Sequence, residues 1–437
     1  MDLCAAPDAG RPAPSFWKDP SAWIREKNLS RSFWIFFTAA FFYDTGFCVY
    51  FFLFNLYLLD FHFNERAIGL INGALTLGLL AGTLPVGTLS RRIGLRPLLL
   101  LCFVAAPLLG VLRACWMWEP AQIGLAFVAG LAMCSWIVCF LPTVSSLTHE
   151  ENRASAISLI FSVGVGASAL GGAICGYLPQ WLARAGLSMQ TWEVKRLILI
   201  ASSAVAAAGF FAVRRLRLPA HQDRQPRRPY TEWPQSFRLS PFLRRFLPCM
   251  ALWSAMLASF TPFANVYLSR GLHMPLARIG LIFSVAQVIQ LFSGLLVPVL
   301  VRRLGIMNAI VTTQAAAAIA LALMAGAERM SLAIALYLAF SAAQWMSSPA
   351  LCTLLMNETP EEERSSASAM TMFCNNLVSA GATAGAGILL ARLGYAPVLL
   401  VVASGALGLA VLCRMLLLPS RVRPPAERPL SVDAVMD

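Results

Sequence analysis

A chain of 437 residues with 58% hydrophobic and 13% charged side chains lacks the polar residues to wet the surface of soluble domains, which carry roughly 25% charge. Its net charge of +13, from 34 Lys and Arg against 21 Asp and Glu, would suit nucleic acid or an anionic membrane, so where the charges fall decides between them.

Residues 1–32 are polar. Asp19 and Pro20 suit the first turn of a short helix that mixes Trp23 and Ile24 with Arg25, Lys27 and Arg31. This reads as a helix lying on a membrane surface, or else as a disordered basic tail. It shows no signal-peptide pattern of cationic, apolar and small residues. Twelve apolar runs then follow, each long enough to cross a hydrocarbon core of roughly 30 Å as a helix. They lie near 33–59, 68–88, 97–117, 121–147, 155–182, 194–213, 246–268, 279–300, 307–327, 331–356, 366–391 and 395–418. The predicted fold is an all-α integral membrane protein of two six-helix bundles, 33–213 and 246–418. A basic linker joins them at 214–245, and a tail covers 419–437.

Positive charge resists translocation, so Lys and Arg collect in cytoplasmic loops. With a cytoplasmic N-terminus, 25 of the 34 basic residues fall on the inner side. Both termini are then expected in the cytoplasm, with the chain in the plasma (inner) membrane. Of 11 cysteines only Cys4 lies outside a predicted span, which reads as apolar packing rather than a disulfide framework.

The chain repeats itself. Ile68-Gly69-Leu70 recurs as Ile279-Gly280-Leu281, Arg91-Arg92-Ile93-Gly94-Leu95 as Arg302-Arg303-Leu304-Gly305-Ile306, and Glu150-Glu151-Asn152-Arg153 as Glu361-Glu362-Glu363-Arg364, all at an offset of 211. Asn55-Leu56-Tyr57-Leu58 matches Asn265-Val266-Tyr267-Leu268 with a shift of one. Two parallel six-helix halves follow from such a repeat.

This architecture resembles the major facilitator superfamily. That family's loop between its second and third helices reads Gly-x-Leu-x-Asp-Arg-x-Gly-Arg-(Arg/Lys). Here it is Gly87-Thr88-Leu89-Ser90-Arg91-Arg92-Ile93-Gly94-Leu95-Arg96, with Arg91 in place of the Asp and Leu95 in place of an Arg. The family's drug-exporter signature in the fifth helix is reduced to Gly171-Gly172. The resemblance implies that the loop with Arg91, Arg92, Gly94 and Arg96 faces Glu361, Glu362, Glu363 and Arg364. Arg302 and Arg303 likewise face Glu150, Glu151 and Arg153. Two ionic latches would then close the cytoplasmic side. The same acids also read as capping boxes, Thr148-x-x-Glu151 and Thr359-x-x-Glu362, with helix starting as their whole role.

An ionisable residue inside a span is costly unless it is paired, wetted or protonated. Among the acids, only Asp44 falls well within one. It is the candidate proton or substrate-cation site, with a structural bond to a neighbouring helix as the other reading. Arg113, toward the outer end of the third span, either snorkels to the interface or partners Asp44 or an anionic substrate. Tyr43, Asn55, Asn72, Trp136, Asn265, Gln287, Gln290, Gln344, Trp345, Asn375 and Asn376 are candidate cavity residues; each also reads as interhelical packing or bonding. Gly172-x-x-x-Gly176 and Gly381-x-x-x-Gly385 read as close-packing faces.

No phosphate-binding GxxxxGK(S/T) and no HExxH occurs, so neither an enzyme nor a metal or cofactor site is expected. The resemblance implies a secondary transporter working by alternating access, expected to act as a monomer. Its partners are a small-molecule solute, a proton and the lipid bilayer, with no nucleic acid. Proton-coupled efflux through Asp44 is the leading expectation, and proton symport of a metabolite or siderophore competes with it. A non-transporting sensor or lipid-moving protein is the alternative of another class.

Overall fold

The computed structural model describes residues 29–184, 186, 189–218, 240–360 and 363–417. Among them are twelve helices long and apolar enough to cross a membrane: α1 (Arg31–Asp60), α2 (Glu65–Ile93), α3 (Leu95–Cys115), α4 (Glu119–Leu147), α5 (Glu150–Arg184), α6 (Thr191–Arg215), α7 (Pro241–Phe260, continued irregularly to Gly271), α8 (Leu276–Leu304), α9 (Ile306–Ala325), α10 (Met330–Glu358), α11 (Arg364–Leu393) and α12 (Tyr395–Leu417). No strand occurs among the described residues. Lipid offers backbone groups no hydrogen-bond partner, so each helix must satisfy its own ladder. The starts are completed by side chains. Ser30 Oγ accepts from Phe33 N at 3.1 Å and Asn64 Oδ1 from Ala67 N at 2.9 Å. Ser240 caps α7 ahead of Pro241, and Gln190 with Glu193 forms a capping box on α6. The proposed surface helix around Asp19 and most of the basic linker lie outside the described residues.

Helices α1–α6 pack among themselves, with α1 against α5 and α6, α2 against α4, and α3 between α4 and α6. Helices α7–α12 form a second group, in which α9 lies against α10 and α12, and α7 against α11 and α12. The groups meet along α2 with α11, α5 with α8, and α1 with the irregular end of α7.

The repeat extends to the backbone. His62 and His273, 211 apart, both adopt left-handed φ, at 61° and 50°. Gly94 and Gly305, again 211 apart, turn the chain at φ 86° and 78°. The one-residue shift near Asn55 and Asn265 also has a structural counterpart. The second half carries one residue more between Leu268 and His273 than the first does between Leu58 and His62. A π-helical turn at Tyr267–Gly271 absorbs it, as such turns do inside helices.

We call the end of the bundle holding Ser30 and Leu417 the terminal end, and the opposite one the far end. Among the described residues the halves touch closely only toward the far end. A β-carbon added to Gly172 would stand 3.0 Å from Ser284 Oγ, and one on Gly176 would stand 3.1 Å from Ala277 Cα. On the other seam, a β-carbon on Gly69 would meet Gly387 Cα at 2.9 Å, and one on Gly73 would meet Ala380 O at 2.9 Å. Gly381 and Gly385 have nothing within 4 Å. The close face of α11 is therefore Ala380, Ala384 and Gly387, displaced by one residue, about 100° around the helix, from the expected Gly381 and Gly385. Every hydrogen bond between the halves among the described residues also lies toward the far end.

Candidate functional site

The meeting of α1 and α7 starts from a proline. Pro262 has no N–H and breaks the ladder of α7 into a 3₁₀ turn at Thr261–Phe263. A regular helix would give Val266 N to Pro262 O; instead Val266 N goes to Asn265 Oδ1 at 2.9 Å. The freed Pro262 carbonyl accepts from Asn55 Nδ2 at 2.7 Å. Asn265 Nδ2 in turn donates to Phe52 O at 2.8 Å. Each asparagine thus bonds the carbonyl three residues before its repeat counterpart, a reciprocal clasp across the halves. Asn72 Nδ2 adds a bond to Asn55 Oδ1 at 3.2 Å.

Beneath this clasp is a cavity of about 340 Å³ lined from both halves, including Cys48, Phe51, Asn72, Ser168, Phe283 and Gln287. Gln287 Nε2 closes one side by donating to Ser168 Oγ at 3.0 Å, and Ser284 Oγ donates to Ala169 O beside it. None of the cavity's lining residues carries a formal charge. The nearest acid along α1 is Asp44. Positions 44, 48, 51 or 52, and 55 recur at three- and four-residue steps, which place them on one helix face. Asp44 therefore faces the seam one turn below Cys48, toward the terminal end. It is half-buried. A β-carbon on Gly164 of α5 would stand 3.9 Å from its Oδ2.

Of the expected cavity residues, Asn55, Asn72, Asn265 and Gln287 line this space. Others stand elsewhere. Tyr43 is 2% exposed and packs inside the first half, with its hydroxyl 3.3 Å from Cys102 Sγ and its ring 4.8 Å from Trp136. It precedes Asp44 by one residue, so it points about 100° away around the helix. Trp136 stacks with Phe36 and packs on Tyr43 and Phe103 inside the first half. Gln290 donates to Ser341 Oγ at 2.7 Å within the second half. Gln344 accepts from Gln314 Nε2 at 2.9 Å, in a buried network with Ser347 and Thr313 between α9 and α10. Trp345 lies over Gly294 and is exposed, while Asn375 and Asn376 are half-buried on α11, the former with Oδ1 unpartnered. Arg113 neither snorkels nor meets Asp44. It is 2% exposed, and its guanidinium lies 4.2 Å from the centre of the Phe54 ring, whose face takes the place of water.

The expected terminal-end latches are not formed among the described residues. Arg92, Arg302 and Arg303 are exposed and make no described bond to the opposite half. Arg364 Nε donates to Met356 O at 3.1 Å, ending α10, and Arg96 Nη2 donates to Arg214 O. Gly94 supplies the turn, Arg153 Nε is buried without a partner, and Glu363 is the residue before α11. The side chains of Arg91, Glu150 and Glu151, and residues Glu361 and Glu362, lie outside the described set. Thr148 Oγ1 donates back to Val144 O at 2.8 Å, and Thr359 Oγ1 is buried with no partner. Thr148 and Thr359 stand at the C-terminal caps of α4 and α10.

An ionic latch exists at the far end instead. Arg270 Nη1 lies 3.3 Å from Glu65 Oε1, and Arg270 Nη2 donates to Phe63 O at 3.2 Å. Tyr395 OH donates to the same carboxylate at 3.0 Å. Sequence reasoning missed this triad because all three residues fall in short loops or at span ends. It also missed Cys48, Phe51 and Phe52, although their spacing from Asp44 and Asn55 was readable.

The family model described as Major Facilitator Superfamily matches residues 35–383. No curated protein sequence matches. Similar solved structures include the nucleoside transporter NupG, at TM-score 0.72 and 14% identity over 89% of this chain and 99% of that one. The inward-open xylose transporter XylE from E. coli aligns at TM-score 0.67 and 14% identity, covering 87% and 94%. A bacterial homologue of the human lysosomal transporter Spinster, inward-facing and occupied, aligns at 0.64 and 14%, covering 88% and 93%.

Proposed function

Because the chain belongs to the major facilitator superfamily, we propose that the cavity between its halves carries a neutral, polar, ring-bearing solute, with a proton taken up at Asp44. The protein is a multi-pass membrane transporter and not an enzyme. The observation that carries the substrate class is the lining. Amides and hydroxyls of Asn72, Ser168 and Gln287 offer donors and acceptors, Phe51 and Phe283 offer ring faces, and no lining residue is charged. Solved neighbours named for nucleosides and for D-xylose with a proton are in keeping with such a solute.

Asp44 supports proton coupling because it is the acid on the cavity-facing side of α1, half-buried, with no cation paired to it among the described residues. A carboxylate in that setting gains from binding a proton before the seam closes over it. The bias of Lys and Arg supports a cytoplasmic terminal end, and with it an inward-facing reading of the present state. A D-xylose-proton symporter among the similar solved structures is in keeping with uptake. When the far end opens, Arg91 and Arg92 would meet Glu361 to Glu363, and Arg302 and Arg303 would meet Glu150 and Glu151.

Proteoliposomes with an imposed pH gradient test this. Wild type should accumulate a neutral nucleoside or pentose, and Asp44→Asn should lose accumulation yet keep solute exchange. Full gradient-driven accumulation by Asp44→Asn would remove Asp44 from the coupling. Acidification-driven expulsion instead of uptake would establish the efflux direction, and no flux of any neutral solute would favour a sensor.

A further inference from the structure

A second concavity lies away from the seam, on the outer flank of the first half between α3 and α6. It is a groove of about 390 Å³ whose walls include Phe103, Pro107, Val111, Ile200, Ala207 and Phe210. It forms because Ser203, Ala204 and Ala207 leave a shallow strip on α6, flanked by bulkier residues on α3. Its open side is apolar, with Val104, Leu108 and Phe211 all at least half exposed, at 50%, 55% and 67%. Such a surface in a membrane-spanning bundle faces acyl chains.

The same two helices end together in a cluster of positive charge. Arg96 opens α3, and Arg214 and Arg215 close α6; Arg96 Nη2 donates to Arg214 O and ties the two ends. Arg92 precedes Arg96 by four residues across the Gly94 turn, Arg217 follows Arg215 by two, and all five are exposed. Neither ion pair among the described residues engages any of these arginines. One of Arg96's five N–H donors is used on the carbonyl, which leaves the rest of its fork for an oxyanion. The first turn of α3 carries no acid that would compete.

The distances between these features match a lipid. Phe103 and Val111 lie about 10 and 22 Å along α3 from Arg96 at roughly 1.5 Å per residue. Ile200 lies about 21 Å along α6 from Arg214 on the same rise. One hydrocarbon leaflet is roughly 15 Å deep beneath its headgroup layer. The groove therefore covers the depth an acyl chain would reach if its headgroup sat at the arginines, and continues about 7 Å beyond it. We propose that the α3–α6 groove and the Arg96, Arg214 and Arg215 cluster form a binding site for one anionic phospholipid, chain in the groove and phosphate on the guanidinium groups.

The test is retention of defined lipids by the full-length detergent-purified protein, read by native mass spectrometry and by thermal stability. The probes are phosphatidylglycerol, phosphatidylcholine of the same chain length, and inorganic phosphate. Wild type should retain phosphatidylglycerol at least about fivefold better than phosphatidylcholine, since a basic residue near the headgroup is worth roughly that factor. Arg96→Gln with Arg215→Gln should abolish the preference, whereas the charge-matched Arg302→Gln with Arg303→Gln should keep it. Ala207→Trp, which fills the groove and leaves every arginine in place, should lower retention of phosphatidylglycerol. Equal retention of both lipids by wild type would overturn the proposal. So would an unchanged preference in the Arg96/Arg215 variant, unchanged retention in Ala207→Trp, or inorganic phosphate reproducing the stabilisation.

Discussion

The reciprocal asparagine clasp sets how firmly the far end is shut, and its removal gives a measurable shift. Asn55→Ala deletes the 2.7 Å bond to Pro262 O, and Asn265→Ala deletes the 2.8 Å bond to Phe52 O. A hydrogen bond of this kind contributes about 0.5–1.5 kcal/mol net. The double variant should therefore move the balance between closed and open far ends by about 1–3 kcal/mol, roughly 5- to 150-fold in population ratio. Cys48 lines the cavity beneath the clasp and serves as the reporter. In a background where it is the sole thiol, a membrane-impermeant maleimide is applied from the far side of sealed, oriented vesicles. Alkylation should accelerate several-fold in each single variant and most in the double. A rate within about twofold of the parent would show that the close glycine seams hold the far end shut, with the clasp contributing nothing to access.

Further outcomes follow from other contacts. Gly280 packs on Gly172 and Gly176, so Gly280→Leu should hold the far end open and stop transport while the protein still folds, read by the same Cys48 alkylation. Glu65→Gln, which removes the partner shared by Arg270 and Tyr395, should raise far-side access by no more than roughly fivefold, since partly solvated pairs are worth about 0.2–1 kcal/mol. Lys195 Nζ sits 2.8 Å from Asp60 Oδ1 with its side chain 8% exposed. Asp60→Asn should therefore lower the melting temperature clearly, and adding Lys195→Met should recover part of the loss. Gly94→Ala and Gly305→Ala, at φ 86° and 78°, should each destabilise by about 1–3 kcal/mol; a melt unchanged by either would refute the backbone reasoning.

The spans, their number and the duplication were readable because hydrocarbon thickness and a repeat are properties of the whole chain. Which way a polar residue points was less readable. A buried membrane helix is apolar on its lipid face and its packed face alike, so periodicity does not separate cavity from core. Tyr43 and Asp44 are neighbours in sequence and yet serve the core and the seam respectively. Gln344 looked like a ligand contact because its partner Gln314, thirty residues earlier on another helix, gave no local signal. Arg113 looked like an interface residue because only the fold brings Phe54 over it. Conversely, Asn55 and Asn265 were flagged by the repeat itself, and their bonds obey the same repeat.

The extra residue in the π-helical turn makes the two halves unequal where they meet. The asparagine bonds come as a matched pair, so losing one leaves its twin in place. Asp60, aligned with Arg270 before the turn, pairs inside its own half with Lys195, while Arg270 reaches across to Glu65. Among the described residues the clasp therefore has redundancy and the ionic tie has none: a single substitution at Glu65 or Arg270 removes the tie, and no described ion pair in the other half replaces it.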